Sequence, residues 1–164
     1  MNTADHPYAL PVSTDHGLFV AQYSAAGLAG LNFPFEKPGS ISSTAPDVVT
    51  SWHALTSKAV KAMLAGKAPK ELPPFVPAGT DFQQAVWREL RRIPLGQTRS
   101  YGEIAAAVNR PRGAQAVGQA CGANAIPLLI PCHRVLAVGG KLGGFSGGLD
   151  WKRRLLTIEG VTLC

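Results

Sequence analysis

A proline-rich segment near the middle of the chain limits the folds that it can adopt. Residues 71–79 read ELPPFVPAG and contain three prolines and a glycine. Proline cannot continue a helix or a central strand, because its ring fixes φ and it has no backbone N–H to donate. We therefore predict two domains, residues 1–76 and 77–164, in a chain that is long enough to bury a core without disulfide bonds.

The net positive charge of the chain comes from its second part. The net charge is +6 at pH 7, and residues 1–80 contain five lysines and five acidic residues, so the whole excess lies after residue 80. Every arginine, from Arg88 to Arg154, lies there too, and arginine is suited to bidentate contact with phosphate. This distribution indicates either a solvated basic face or an anionic partner such as a nucleic acid.

The cysteines and the apolar runs indicate the compartment. Cys121, Cys132 and Cys164 form no CxxC pair, and their odd number argues against a disulfide framework. No basic leader precedes an apolar stretch at the N-terminus, and no run approaches the ~18 apolar residues of a membrane span. We expect free thiols, no membrane partner, and a cytoplasmic protein (nuclear in a eukaryote).

The chain carries no motif for a metal or a nucleotide cofactor. His6, His16 and His53 are scattered without the spacing of metal ligands. The glycine-rich segment 139–144 lacks the order of a phosphate-binding loop that ends in Lys-Ser/Thr. We expect no cofactor, and we interpret the glycines as a loop that can close over a pocket.

The first part of the chain has the pattern of a small α/β unit. Residues 17–23 and 27–33 are predicted as two short strands. Residues 49–65 have helical spacing of their apolar positions. These positions are Trp52, Leu55, Ala59 and Met63.

The second part begins with three predicted helices. Thr80 and Gln83 form a capping box before a run whose apolar residues recur at helical spacing as far as Pro94. Ser100 and Glu103 form a second capping box, which opens a short helix through Val108. A third helix is predicted from Ala114 to about Ala123.

The second and third of these helices resemble a helix-turn-helix, because a Pro/Gly turn at 109–113 joins them. In the third helix, Ala114, Val117 and Cys121 are predicted to face the core. The opposite face consists of Gln115, Gly118, Gln119 and Gly122. A glycine costs a helix about 1 kcal/mol relative to alanine, so these glycines indicate close approach, either to another helix of the protein or to a nucleic-acid groove.

A cysteine beside a histidine follows the apolar run at 126–131. A thiol becomes nucleophilic as a thiolate, and His133 is a candidate base for Cys132 if the chain turns there, because neighbours on a strand point to opposite faces. Such a histidine needs a carboxylate to orient it, and the pattern does not choose one. The candidates are Asp81, Glu89, Glu103, Asp150 and Glu159. A buried structural cysteine, or the nucleophile of a cysteine hydrolase, are the alternatives.

The segment Pro131-Cys132-His133-Arg134-Val135, with Asn124 eight residues before the cysteine, resembles the active-site signature of the O6-alkylguanine-DNA alkyltransferases. Other segments match as well, continuously from about Gly79 to Gly160. They include TDFQ at 80–83, SYGEIA at 100–105, FSGGL at 145–149 and Glu159-Gly160. Over residues 1–76 the resemblance is only general.

The resemblance implies an α/β (α+β) fold. A small N-terminal antiparallel sheet with helices would precede a helical, winged helix-turn-helix-like C-terminal domain that carries the active site. It also implies a DNA repair enzyme, a methylated-DNA-[protein]-cysteine S-methyltransferase. Cys132 would take a methyl or small alkyl group irreversibly from O6 of a flipped-out guanine, once per molecule.

Each matched residue has an implied role. His133 would accept the thiol proton through a water, and Glu159 would orient His133. Tyr101 would hydrogen-bond the guanine ring and help to protonate it, and Ser146 would donate a hydrogen bond to the departing O6. Backbone carbonyls near Cys132 and Val135 would accept from its amino group, and Phe145 would pack in the pocket. Asn124 would brace the turn between the third helix and an active-site strand.

The same resemblance implies double-stranded DNA containing O6-alkylguanine as the partner of a monomer. The third helix would lie in the minor groove, with Arg112, Gln115, Gly118, Gln119 and Gly122 at the DNA. Gln115 stands where the family usually has an arginine finger. Either Arg110 or Arg112 substitutes for it from the preceding turn, or the protein recognises damage with weak or absent transfer on duplex DNA. The basic run 152–154 is expected to be solvated, and Cys121 to belong to the core.

Overall fold

The computed structural model describes residues 6–37, 39–145 and 147–163. The chain forms two compact units, of which the first ends at Ala78 and the second begins at Gly79. The architecture is α+β, as the resemblance implied. No helix in the described part of the chain is long and apolar enough to cross a membrane.

The first unit is a three-stranded antiparallel sheet covered by a helix. The strands β1 (Tyr8–Thr14), β2 (Gly17–Ser24) and β3 (Gly27–Asn32) pair in chain order, and α1 (Asp47–Leu64) packs on all three of them. The core between sheet and helix is apolar. It includes Phe19, Tyr23, Leu28, Phe33, Val49, Val60 and Met63.

The structure confirms the two predicted strands and the helix, and it adds β1. Pro11 lies in the middle of β1 and hides the strand in the sequence, because proline is rare inside a sheet. An edge strand tolerates proline, since one side of its backbone needs no partner, and β1 is an edge of this sheet.

The second unit is built mainly of helices. It contains α2 (Asp81–Leu90), β4 (Arg99–Ser100), α3 (Tyr101–Ala107), α4 (Ala114–Gly122), β5 (Val135–Leu136) and α5 (Leu149–Ile158). Both predicted capping boxes form, on Thr80 and on Ser100. The helices α2, α3 and α4 pack on one another, and the fully buried Trp87 of α2 donates its Nε1–H to the carbonyl of Ala120 in α4 at 2.8 Å.

A short parallel pairing brings two distant segments together. Arg99 pairs with Val135 and Ser100 with Leu136, so β4 lies beside β5. The residue after β4 is Tyr101, and the 3-10 turn before β5 contains Cys132. The pairing therefore places the start of α3 next to the segment that contains the candidate nucleophile.

The predicted strand before Cys132 is wrong. Residues 126–131 contain only an isolated bridge between Pro127 and Ile130, and Leu128 adopts a left-handed conformation with φ of 79°. The two prolines that bracket the run withhold backbone donors, and the left-handed residue turns the chain. The segment is a buried loop in place of a strand.

Candidate active site

Cys132 begins a single 3-10 turn, Cys132–Arg134, at the end of the buried loop. The chain turns at this point, which is the condition for His133 to serve as a base for Cys132. At the start of this turn, the Cys132 N–H donates a hydrogen bond to the carbonyl of Ile130 in the loop, at 2.8 Å. Cys132 and His133 are both buried, with 3% and 0% of their surface exposed.

Asn124 holds the loop that leads to the cysteine. Its side chain donates to the carbonyl of Ile130 at 2.9 Å and accepts from the N–H of Ile126 at 3.0 Å. The N–H of Ile130 also donates to the carbonyl of Ile126 at 2.9 Å. One buried amide therefore satisfies both ends of the loop, where the left-handed Leu128 stores strain of about 1–2 kcal/mol.

A buried ion network lies behind the cysteine. Nε2 of His133 is 2.5 Å from a carboxylate oxygen of Glu159, and Arg134 donates from Nε to the other oxygen at 2.8 Å. The N–H of Gly96 donates to that second oxygen at 3.1 Å, and Nη1 of Arg134 donates to the carbonyl of Ile93 at 2.6 Å. Of the five carboxylates that the pattern left open, Glu159 is the one that the fold brings to His133.

These contacts set the protonation of the pair. Burial raises the pKa of Glu159, but hydrogen bonds from His133 and Arg134 outweigh it and lower the pKa to about 2. Burial lowers the pKa of His133, against the opposing effect of Glu159. At neutral pH the carboxylate is therefore ionised and the imidazole neutral, with its proton on Nε2. Nδ1 of His133 is buried without a hydrogen-bond partner among the described residues, so it is the nitrogen that can accept a proton.

The thiol of Cys132 is not a thiolate at rest. Burial raises its pKa to about 11, although a hydrogen bond with Asn124 and the positive charge of Lys152 act in the opposite direction. A thiol with this pKa is protonated at neutral pH, so it needs a base in order to react. The neutral imidazole of the next residue has an Nδ1 that is chemically able to accept that proton.

Cys132 lines a cavity of about 800 Å³. Tyr101 and Phe145 form parts of the same wall, and Phe145 contacts the His133 ring edge to face at 6.5 Å between centroids. The exposed face of α4 forms another part. It contributes Ala114, Gln115, Gly118, Gln119 and Gly122. The cavity is large enough for a planar heterocycle and opens beside the helix that was predicted to bind nucleic acid.

The glycines of α4 face outward. A Cβ built on Gly122 would meet no described atom within 4 Å, and one on Gly118 would meet only the Tyr101 ring at 3.9 Å. Packing against the described residues therefore does not account for these glycines. Val117 and Cys121 are buried as predicted, but the prediction for Ala114 is wrong, because this first residue of the helix is exposed at the cavity.

Other predicted site residues lie outside the cavity lining. Arg112 is exposed on the turn before α4 and does not line the cavity. Val135 is buried, and its carbonyl accepts a hydrogen bond from Lys152. Ser146 and Cys164 lie outside the described residues.

Lys152 was predicted to be solvated, and this prediction is wrong. Its side chain is fully buried, and Nζ donates to the carbonyls of Val135 at 2.7 Å and Gly144 at 2.9 Å. The buried face of α5 consists of Trp151, Lys152, Leu155 and Leu156, whereas Ile158 is half-buried. The buried positions of α5 recur at i, i+1, i+4 and i+5, a spacing that indicates one helix face. The positive charge of Lys152 led to its assignment to the solvated side. The role of Arg134 was not predicted either, because its burial against Glu159 and the carbonyl of Ile93 depends on distant parts of the chain.

The loop after β5 packs on Tyr101. Gly143 has φ of +66°, and a Cβ there would lie 2.8 Å from the Tyr101 hydroxyl, so only glycine fits. The hydroxyl donates a long bond of 3.5 Å to the carbonyl of Gly144. Within the described ranges no group of His, Cys and acidic side chains could hold a metal ion.

Comparison with known proteins identifies a family model and relatives. Residues 81–161 match the family model of the 6-O-methylguanine DNA methyltransferase, DNA binding domain. A methylated-DNA--protein-cysteine methyltransferase of Methanosarcina acetivorans is 44% identical over 104 residues, which cover 63% of this chain and 67% of that protein. One of Mycobacterium bovis is 56% identical over 81 residues, which cover 49% of each chain, so the match spans about half of that relative.

A solved structure extends the similarity over nearly the whole chain. The Mycobacterium tuberculosis OGT in complex with DNA superimposes with a TM-score of 0.77 and 36% identity. The superposition covers 93% of this chain and 92% of that one. The likeness therefore includes the N-terminal unit, over which the sequence resemblance was only general.

Proposed function

Because the chain belongs to the 6-O-methylguanine DNA methyltransferase family, we propose that it repairs DNA by transferring a methyl or small alkyl group from O6 of guanine to its own Cys132. One observation carries the proposal. Cys132 lines a cavity beside the exposed face of α4, and its neighbour His133 is bonded to an ionised Glu159.

The transfer begins with the thiol proton. Nδ1 of His133 accepts it through a bridging water, and the carboxylate of Glu159 stabilises the imidazolium that forms. Sγ of Cys132 then attacks the alkyl carbon in line with the C–O6 bond. The S–C bond forms as the C–O6 bond breaks, and the bonding electron pair goes to the guanine.

The guanine leaves as a neutral base once it gains a proton. Tyr101 lies at the cavity and supplies or relays that proton, and Ser146 and the carbonyls near Cys132 and Val135 hold the base. The product on the protein is a thioether. None of the proposed groups can reverse this step, so each molecule acts once.

DNA binds through the exposed face of α4 in this proposal. Gln115, Gly118, Gln119 and Gly122 enter the minor groove of duplex DNA, Arg112 contacts the backbone, and the alkylated guanine turns out into the cavity. Extrusion of a base costs a few kcal/mol, which binding must offset. A monomer suffices for this geometry, and the free thiol needs a reducing compartment such as the cytoplasm.

The stoichiometry of repair tests the proposal. Duplex DNA with one O6-methylguanine is titrated with protein, and the fraction repaired is measured by digestion and chromatography. We expect repair to stop at one lesion per protein molecule. Cys132→Ala should bind the same DNA and repair none of it. Continued turnover, or repair by the Cys132→Ala variant, would contradict the assignment.

Gln115 supports a second candidate function. Its neutral amide lies at the cavity, where the family usually has an arginine that fills the place of the extruded base. An amide lacks the charge and the stacking of a guanidinium, so the protein would then recognise alkylated duplex DNA and transfer the alkyl group weakly. Gln115→Arg separates the two functions. Faster alkyl transfer from duplex DNA than in the wild type, with an unchanged rate on single-stranded DNA, favours the recognition function. A variant that transfers from duplex DNA at the wild-type rate contradicts it.

A further inference from the structure

We infer that the buried ammonium group of Lys152 is the counter-charge for the sulfur of Cys132 during alkyl transfer. The inference rests on the proposed function, because it assigns a positioning residue to that reaction. Lys152 acts through the thiol and does not itself contact the alkyl group in this assignment.

The first observation is that Lys152 carries a buried charge without a carboxylate. Its side chain is fully buried, and its two hydrogen-bond acceptors, the carbonyls of Val135 and Gly144, are neutral. No ion pair joins Lys152 to an acidic side chain among the residues that the structure describes. Burial of an unpaired charge destabilises a fold by several kcal/mol, and an apolar residue of the same length would avoid that penalty.

The second observation is the set of ionisable groups around this charge. Tyr101, Cys121, Cys132 and Gly144 line one cavity, and Lys152 donates to the carbonyl of Gly144 there. Cys121, Cys132 and His133 interact electrostatically with Lys152, whereas Arg134 and Glu159 belong to the network that is bonded to His133. Glu159 is already bonded to His133 and Arg134, so its charge is compensated. Tyr101 presents its ring, 5.7 Å from Nζ. The two thiols are the remaining groups that can become anionic.

The electrostatic coupling between lysine and thiol runs in both directions. Burial lowers the pKa of Lys152, whereas Cys132 and then Cys121 raise it. In turn the charge of Lys152 lowers the pKa of Cys132 against the effect of burial. Reciprocity is required, because one interaction free energy affects both titrations.

The need for this charge follows from the path of the proton. When His133 takes the thiol proton, a negative sulfur and a positive imidazolium form in a buried site. Glu159 compensates the imidazolium, and Lys152 compensates the sulfur. As the S–C bond forms, the sulfur becomes neutral and the electron pair leaves with the guanine, so the attraction is strongest on the thiolate and assists its formation.

Lys152 also ties two segments of the site together. Its bonds join the strand residue Val135 to Gly144, in the loop that packs on Tyr101. A test must therefore separate the charge from the hydrogen bonds. Lys152→Gln keeps an NH₂ group that can donate to both carbonyls and removes the charge, whereas Lys152→Arg keeps the charge.

The measurement is the rate at which iodoacetamide alkylates Cys132, from about pH 6 to pH 9, with peptide mapping to distinguish Cys132 from Cys121. If Lys152→Gln raises the pKa of Cys132 by one unit, the thiolate fraction at a given pH falls about tenfold. The more basic thiolate is about threefold more nucleophilic, so the net rate falls about threefold. Lys152→Arg should keep a rate close to that of the wild type.

Arg153→Gln is the matched control, because it removes an exposed positive charge from the next position of the same helix. It should leave the rate unchanged. Urea unfolding checks that each variant folds. Lys152→His, which is neutral at about pH 8–9 but keeps an N–H donor, replaces the glutamine variant if that one does not fold. The inference would be overturned if Lys152→Gln reacted with iodoacetamide as fast as Arg153→Gln. Equal losses of alkylation rate in Lys152→Gln and Lys152→Arg would also overturn it.

A faster reaction in Lys152→Gln would overturn it too, since it would mean that the lysine only holds the loop closed over the thiol. The assay contains no DNA, so its outcome is independent of the proposed repair function. If the repair titration fails while Lys152→Gln still slows alkylation, the proposed function is wrong and the coupling remains.

Discussion

Glu159→Gln should destabilise the protein by a predictable amount. The substitution keeps the shape of the side chain but removes the negative charge that His133 and Arg134 share in a buried site. These contacts lower the pKa of Glu159 from its ordinary 4.5 to about 2. At about 1.4 kcal/mol for each pKa unit, the ionised carboxylate contributes about 3 kcal/mol to the free energy of unfolding.

The pH dependence follows from the direction of that change. Because the folded pKa lies below the unfolded one, the contribution is fully present above about pH 4.5 and is lost as the pH falls toward 2. The difference between wild type and Glu159→Gln should therefore be about 3 kcal/mol near pH 7 and less than half of that near pH 3. Protonation of the buried His133 destabilises the protein below its ordinary pKa of 6.5, so the two proteins are compared at each pH.

Urea unfolding monitored by tryptophan fluorescence measures this difference. Trp87 and Trp151 lie in the second unit, and Trp52 lies in the first, so a Trp52→Phe background makes the signal specific for the unit that contains Glu159. A difference below about 1 kcal/mol near pH 7, or one that is the same near pH 3, would refute the electrostatic reasoning.

Three further predictions concern the loop, the cavity and the DNA surface. Asn124→Ala leaves the buried N–H of Ile126 without a partner and removes one of the two donors to the carbonyl of Ile130, so it should lower the free energy of unfolding by about 1–3 kcal/mol in urea titrations; a loss below about 0.5 kcal/mol would contradict the bracing role. Gly143→Ala places a Cβ 2.8 Å from the Tyr101 hydroxyl and should slow single-turnover transfer, whereas Gly144→Ala, where a Cβ meets no described atom within 4 Å, should not. Equal transfer rates in Gly143→Ala and Gly144→Ala would contradict the requirement for glycine beside the Tyr101 hydroxyl. Finally, affinity for duplex DNA should fall linearly on a log–log plot against salt, since the basic half of the chain would displace counterions; an affinity independent of salt would exclude phosphate contacts.

Elements defined by local chemistry were predictable from the sequence. Both capping boxes need only residues three positions apart, and they formed on Thr80 and Ser100. The turn at Cys132 was stated as a condition for the candidate base and was not predicted. The strands β2 and β3 followed from apolar runs bounded by turn residues.

Features that depend on distant parts of the chain were not predictable in the same way. The pattern left five carboxylates open for His133, because residues 133 and 159 meet only through the packing of α5 on the 3-10 turn. The family resemblance implied a strand before Cys132, whereas Asn124 and the left-handed Leu128 make residues 126–131 a loop. Lys152 was assigned to solvent by its charge, whereas its burial depends on two carbonyls brought from elsewhere.

The mass of the intact protein after reaction with DNA tests the central claim most directly. The protein is incubated with duplex DNA that contains a single O6-methylguanine, and the product is weighed and then mapped by peptides. We expect a gain equal to one methylene group, located on Cys132 and absent from Cys121. Bound DNA with no change in protein mass, or a methyl group on any other residue, would contradict it.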